Sequence, residues 1–230
     1  MIRARRLPAV ERKRRIIESA RDVFAASNYW KVSTADLAHA AGISEPALYR
    51  HFSGKKDIFL STLTDTAPKL LDTWQRIAAD VDDPIETLWT IGLNYYDHVK
   101  SRSAVTKLQF QALIEAGDPD IQTALHRNFV SFLQFLRDVL DDGKRRGLVR
   151  PDVDSEAFAW QCLGLGLSLD VSHLLGFAGD VSRQKVETWM RLFLDGIRST
   201  ETGQGSPRIA AAFLREHIPA APPPLEGIPS

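Results

Sequence analysis

The chain contains a single cysteine, Cys162, among 230 residues. One thiol can form no internal disulfide and no four-cysteine zinc site, so a reducing, cytoplasmic setting is the default expectation. No run of eighteen apolar residues occurs, which argues against a membrane-spanning helix and leaves no expected membrane partner. The opening MIRARRLPAVERKRR is basic with no apolar stretch behind it, and does not read as a signal peptide. Short alternating runs of β-branched residues between tight turns, which mark strands, are missing. So are a glycine-rich phosphate loop, HExxH and GxSxG. Gly164-Leu165-Gly166 lies within a helical pattern and is no nucleotide fingerprint. His126 and His173 stand alone, without metal-ligand spacing. No catalytic residue, cofactor or metal is expected, and the chain does not read as an enzyme.

Apolar residues make up 44% and charged residues 25% of the chain, ordinary values for a globular protein. The formal net charge is zero, but it is unevenly spread. Residues 1–56 carry 12 Lys+Arg against 5 Asp+Glu, a balance of +7, and the remainder carries −7. Such a division suggests different partners for the two parts, with a polyanion facing the basic one. A merely solvated basic tail is the plainer alternative.

Periodicity reads as helix throughout, giving an all-α fold. Ile16, Ile17, Ala20, Val23 and Phe24 recur at spacings of three and four within a helix over about Val10–Ser27. Asn28 after it suits a left-handed helix end. Ser33-Thr34-Ala35-Asp36 has the spacing of a capping box and opens a short helix to Ala41. Gly42 makes a turn. Ser44 caps a third helix reaching Phe52, with Pro46 in its first turn, where a missing N–H costs little. Longer helices follow over about Lys55–Asp80, Asp83–Arg102, Ser103–Ala116, Asp118 to just before Gly147, Asp154–Leu175 and Ser182–Arg198. Residues 199–206 are rich in Gly, Ser and Thr. Ile209–Ile218 could form a short amphipathic helix, and the rest of the tail is Pro-rich and expected to be extended.

A short helix, a glycine turn and a second short helix are what a helix-turn-helix needs, and here they coincide with the basic segment. An ordinary helical hairpin is the alternative. The run Ser33-Thr34-Ala35-Asp36-Leu37-Ala38, then Ala41-Gly42-Ile43-Ser44, then Leu48-Tyr49-Arg50-His51-Phe52 and Lys55, resembles the N-terminal domain of the TetR family of transcriptional regulators. The family often has Gly where Asn28 stands and Glu where Lys56 stands.

The resemblance implies a dimeric, all-helical regulator, in most members a repressor released from operator DNA by a small molecule. It implies a DNA-binding domain over 10–70 with its helix-turn-helix at 33–52, a helical ligand-binding and dimerisation domain over 71–200, and a tail over 201–230. The DNA-binding residues expected are Ser33, Thr34, Ser44, Glu45, Pro46, Ala47, Tyr49, Arg50, His51, Lys55 and Lys56. Glu45 could accept from a cytosine amino group, and Pro46 and Ala47 could pack on a thymine methyl. Thr34, Tyr49 and Lys55 match phosphate-gripping positions. Arg3, Arg5 and Arg6 are either an arm for the minor groove or a basic tail.

Two later helices are apolar nearly all round. Gly164, Gly166, Leu167, Trp189 and Phe193 are expected at a four-helix interface between two copies, although a monomeric core could use both helices internally. Aromatic residues on the middle helices, with a few polar ones, suggest a pocket for a hydrophobic or aromatic effector: Trp74, Trp89, Tyr96, Phe110, His126, Phe129 and Trp160. The competing reading is an all-helical small-molecule-binding protein or enzyme whose basic N-terminus is incidental.

Overall fold

The computed structural model describes residues 8–101 and 103–199, with the side chains of Ser103 and Ala178 left out. The arm at Arg3, Arg5 and Arg6 and the whole 201–230 tail, including the helix expected at Ile209–Ile218, lie outside the described residues. Helices occupy the chain in the order α1 (Ala9–Ala26), α2 (Thr34–Ala40), α3 (Glu45–Leu48), α4 (Lys55–Asp80) and α5 (Pro84–Ser101). They continue as α6 (Ser103–Ile114), α7 (Pro119–Arg145), α8 (Ser155–Leu174), a 3₁₀ turn at Phe177–Gly179, and α9 (Arg183–Asp195). No strand is formed among the described residues. The nearest feature is an isolated antiparallel bridge between Val149 and Arg198.

Local chemistry sets most of these boundaries. Ser33 Oγ accepts the Asp36 N–H while Asp36 Oδ2 accepts the Ser33 N–H, so α2 opens with a complete capping box. The Ser33 hydroxyl, which also donates to Asp36 Oδ2 at 2.6 Å, and the Ser33 N–H together hold the Asp36 carboxyl below its ordinary range. Asp118 and Asp154 cap α7 and α8 through the N–H groups two and three residues on. Gly42 has φ +66°, a backbone region that a side chain would strain. Asn28 departs from expectation. It is not left-handed; its Oδ1 accepts the Lys31 N–H at 2.9 Å, folding the chain locally instead.

Three buried clusters hold the helices together. The first joins Ile16, Ala20 and Phe24 of α1 to Leu37, Leu48, Phe52, Ile58 and Phe59. Phe59 meets Phe24 edge-on at 5.0 Å and Tyr29 at 4.8 Å. This cluster does not stop at the helix-turn-helix. It runs on into Leu108 and Ala112 of α6 and Ile121 and Leu125 of α7. Residues 8–198 accordingly belong to one compact unit. The second cluster packs α5, α7, α8 and α9 around Leu88, Leu140, Phe158 and Leu194. The third is smaller and centres on Tyr96, Val99, Leu169 and Val186.

Candidate functional site: a DNA-binding face and an internal cavity

The α2–turn–α3 unit puts small residues where helices cross and polar ones outward. Leu37, Ala38, Leu48 and Phe52 are buried. Ser33, Ser44, Pro46, Tyr49 and Arg50 are exposed, and Thr34, Ala47 and His51 are half-buried. The recognition segment is shorter as regular helix than expected. It is α-helical over Glu45–Leu48 and then continues as turn to His51, with the Phe52 N–H still bonded to the Leu48 carbonyl.

Three of the expected contact residues bind one another in the free protein. Thr34 Oγ1 donates to Glu45 Oε1 at 2.5 Å, and Tyr49 Oη lies 3.2 Å from Thr34 Oγ1. Glu45 is thus turned back on the start of α2, not outward toward a base edge as the sequence suggested. The reason is proximity: Thr34 and Glu45 open consecutive helices, and the hydroxyl is the nearest donor. The triad fixes the angle between α2 and α3.

The two lysines part company. Lys55 Nζ donates to the Tyr29 carbonyl at 2.9 Å and lies 4.7 Å above the Tyr29 ring, which holds its charge beside the recognition segment. Lys56 turns away. It pairs with Asp118 at 2.8 Å and Asp120 at 2.6 Å, at the start of α7. Those bonds raise the Lys56 pKa above its ordinary value and lower that of Asp118. Lys56 therefore fastens α4 to α7 in this state and is not a free phosphate contact. Two other bonds join the first helix region to α6 and the turn after it: Trp30 Nε1 donates to Glu115 at 2.6 Å, and Gln111 Nε2 donates to the Phe24 carbonyl at 2.8 Å.

A cavity of about 170 Å³ lies among α4 to α9. Trp74 and Phe129 line it as expected from the sequence. So do Gly166, Leu167, Trp189 and Phe193, which the sequence placed at an interface. Gly166 is small because a Cβ there would stand 3.1 Å from Tyr95 Cε1. Gly164 faces open space. Trp89, Tyr96, Phe110, His126 and Trp160 do not line the cavity. Trp89 packs on the second cluster, Tyr96 is buried in the third with its hydroxyl donating to the Val181 carbonyl, and His126 and Trp160 are exposed. Each sits on a face of its helix turned away from the cavity.

Sequence reasoning missed the polar heart of the cavity. Asp170, Tyr95, Thr106 and His98 all line it. Tyr95 Oη donates to Asp170 Oδ2 at 2.7 Å and Thr106 Oγ1 donates to Oδ1 at 3.1 Å. A charged residue in the middle of an otherwise apolar helix was the signal that could have found it. The Cys162 thiol also faces the cavity, and burial pushes its pKa up to about 12, so it stays protonated.

A helix-turn-helix with an exposed polar face, joined to a helical body with a cavity, is an arrangement that suits a DNA-binding regulator. Residues 16–62 match the family of "Bacterial regulatory proteins, tetR family". Over that segment the chain is similar to the TetR family. It is 28% identical over 109 residues to the HTH-type transcriptional activator FasR of Mycolicibacterium smegmatis, covering 47% of this chain and 50% of that one. It is 26% identical over 144 residues to the HTH-type transcriptional repressor KstR2 of the same organism, covering 62% and 70%. Among solved structures, the regulator FadR of Bacillus subtilis in complex with stearoyl-CoA superposes with a TM-score of 0.63 at 16% identity, over 79% of this chain and 95% of that one. The chain spans about half of the activator's length. No helix among the described residues is long and apolar enough to cross a membrane.

Proposed function

We propose that the protein is a dimeric repressor that leaves its operator when a hydrophobic small molecule fills the cavity. One observation carries this reading: α4 belongs to both sites. Its N-terminus holds Lys55 beside the recognition segment, and its Leu63, Leu70 and Trp74 wall the cavity. At 26 residues it spans roughly 39 Å. A ligand that displaces the Trp74 end shifts the DNA-binding end with it. Lys56 and Gln111 supply further ties between the two ends. Two recognition segments must stand one DNA turn apart, about 34–36 Å, so a small rotation of each ends simultaneous binding. Linkage then requires operator DNA to weaken ligand binding by the factor by which ligand weakens DNA binding. The repressor sense follows KstR2, whose match covers more of the chain than that of FasR, and the effector class follows the apolar lining.

The test is fluorescence anisotropy with labelled DNA flanking the protein's own gene, titrated with and without hydrophobic compounds. Saturable binding that a compound reverses supports the reading. Binding that no compound alters leaves a constitutive DNA-binding protein.

Two substitutions divide the roles on the DNA-binding face. Arg50 is exposed beside the recognition segment, so Arg50→Ala should weaken binding to all sequences alike. The slope of log affinity against log salt should then fall by about 0.9 for each phosphate that a subunit no longer neutralises. An unchanged slope removes Arg50 from the backbone-binding set. Lys56→Gln should leave that slope unchanged while reducing ligand-driven release, because it unfastens α4 from α7. A reduced slope in Lys56→Gln returns Lys56 to the residues that grip DNA.

A further inference from the structure

The cavity is apolar except at one place, and that place is an acid. Asp170 is 1% exposed yet lines the cavity. Its two oxygens accept hydrogen bonds from the Tyr95 and Thr106 hydroxyls. No Lys, Arg or Glu is among the described residues that line the cavity. The ionisable neighbours are Tyr95, His98 and His173, and His173 Nδ1 is buried without a hydrogen-bond partner among the described residues. Burial raises the Asp170 pKa against the opposing effect of its two hydrogen bonds. A buried carboxylate with acceptor sites to spare and only imidazoles as ionisable nitrogen neighbours is costly, and a ligand that brings a full positive charge recovers that cost.

We infer that the effector is a hydrophobic organic cation, an amine with an aromatic or branched aliphatic body, whose ammonium group docks on Asp170. This rests on the ligand-responsive reading above and narrows it. Ring contacts support it. Tyr95 stacks with His98 at 6.2 Å and meets Trp74 edge-on at 6.1 Å, so aromatic faces surround the approach to the acid and favour a cation. Trp74 Nε1 is buried without a hydrogen-bond partner among the described residues and can donate to an oxygen on the ligand body. The volume, about 170 Å³, is comparable to the roughly 150 Å³ engineered cavity that takes benzene. It suits one ring with a short chain. An anionic head would meet Asp170 with no Lys or Arg in the described lining, so a carboxylic acid is disfavoured there.

The experiment compares 4-phenylbutylamine, 4-phenylbutanol and 4-phenylbutanoic acid, three bodies of one shape with positive, neutral and negative heads. Binding is read by calorimetry on the full-length protein, and DNA release by anisotropy. The amine should bind at least tenfold more tightly than the alcohol, and the acid least. Asp170→Asn keeps the side-chain shape and one acceptor, and should bring amine and alcohol to equal affinity. Tyr95→Phe keeps the acid and should retain the preference for the amine. A far-ultraviolet spectrum and melting curve confirm that each variant is folded. Equal or reversed preference in the parent protein overturns the inference while leaving the ligand-responsive reading intact. If no compound of any charge binds or alters DNA affinity, the ligand-responsive reading itself falls. An amine preference that survives in Asp170→Asn places the cation elsewhere and also overturns the assignment.

Discussion

Leu192→Arg should turn the protein into a monomer and weaken operator binding by at least 100-fold. Leu192 is 73% exposed and Trp160 is 54% exposed, and Val171, Leu175, Phe177 and Trp189 are large apolar residues exposed on the same pair of helices and the turn between them. Six large apolar residues exposed on two helices and the turn between them are more than scattered single exposures, and such surface suits a partner. In the proposed dimer, two copies would close it as a helical interface. An arginine there would be desolvated without a counter-charge. In the isolated subunit the same arginine projects into solvent, so the fold should be unaffected. Joining two recognition segments raises affinity by roughly 10²–10⁴ over one, which sets the expected loss. Analytical ultracentrifugation and anisotropy measure both parts. A dimer with full operator affinity would show that this face is not the interface. Gly166 is a poorer place for the substitution, because a side chain there strikes Tyr95 inside the subunit.

Phe59→Ala should cost about 3–5 kcal/mol, the range for removing a buried aromatic from a well-packed core. Phe59 is fully buried between Phe24 and Tyr29, and the cluster it centres holds Leu48 within the recognition segment and Phe52 just after it. For a chain of this size each kcal/mol lowers the melting temperature by about 2–4 °C, so a fall of roughly 6–20 °C is expected. Operator binding should be lost before the protein melts, since the recognition segment leans directly on the cavity that the substitution leaves. Calorimetry and anisotropy over a temperature series check both statements. A melting point within about 2 °C of the parent, below the smallest expected fall, would mean that the core closes over the gap.

The helices were readable because their signals are local. Ser33 with Asp36, Asp118 before Pro119, and Asp154 before Ser155 satisfy backbone N–H groups within a few residues, and the helices begin where those groups stand. The DNA-binding face was readable in outline for the same reason, since Ser44, Pro46, Tyr49 and Arg50 lie outward on one short segment. What escaped were choices between neighbours. Periodicity shows that Lys56 lies on a polar face of its helix, but not that Asp118 and Asp120, more than sixty positions away, end within reach of it. It shows that Tyr95 and Tyr96 alternate around a helix, but not which of them meets the cavity. It places Gly166 among small residues that permit a close approach, but not that Tyr95 of the same chain is a group that approaches it. Such facts depend on how several helices pack at once, and no single window of sequence holds them.

The core beneath the recognition segment has a consequence for making hybrid regulators. Leu108, Ala112, Ile121 and Leu125 close that core from α6 and α7. A cut at residue 70 would therefore strip the reading head of part of its own interior. A head grafted onto another body would meet foreign side chains at those four places. Operator choice is more safely altered by exchanging the outward residues Ser44, Pro46, Ala47 and Arg50 than by swapping the head entire. In this molecule the part that is exchangeable is a surface.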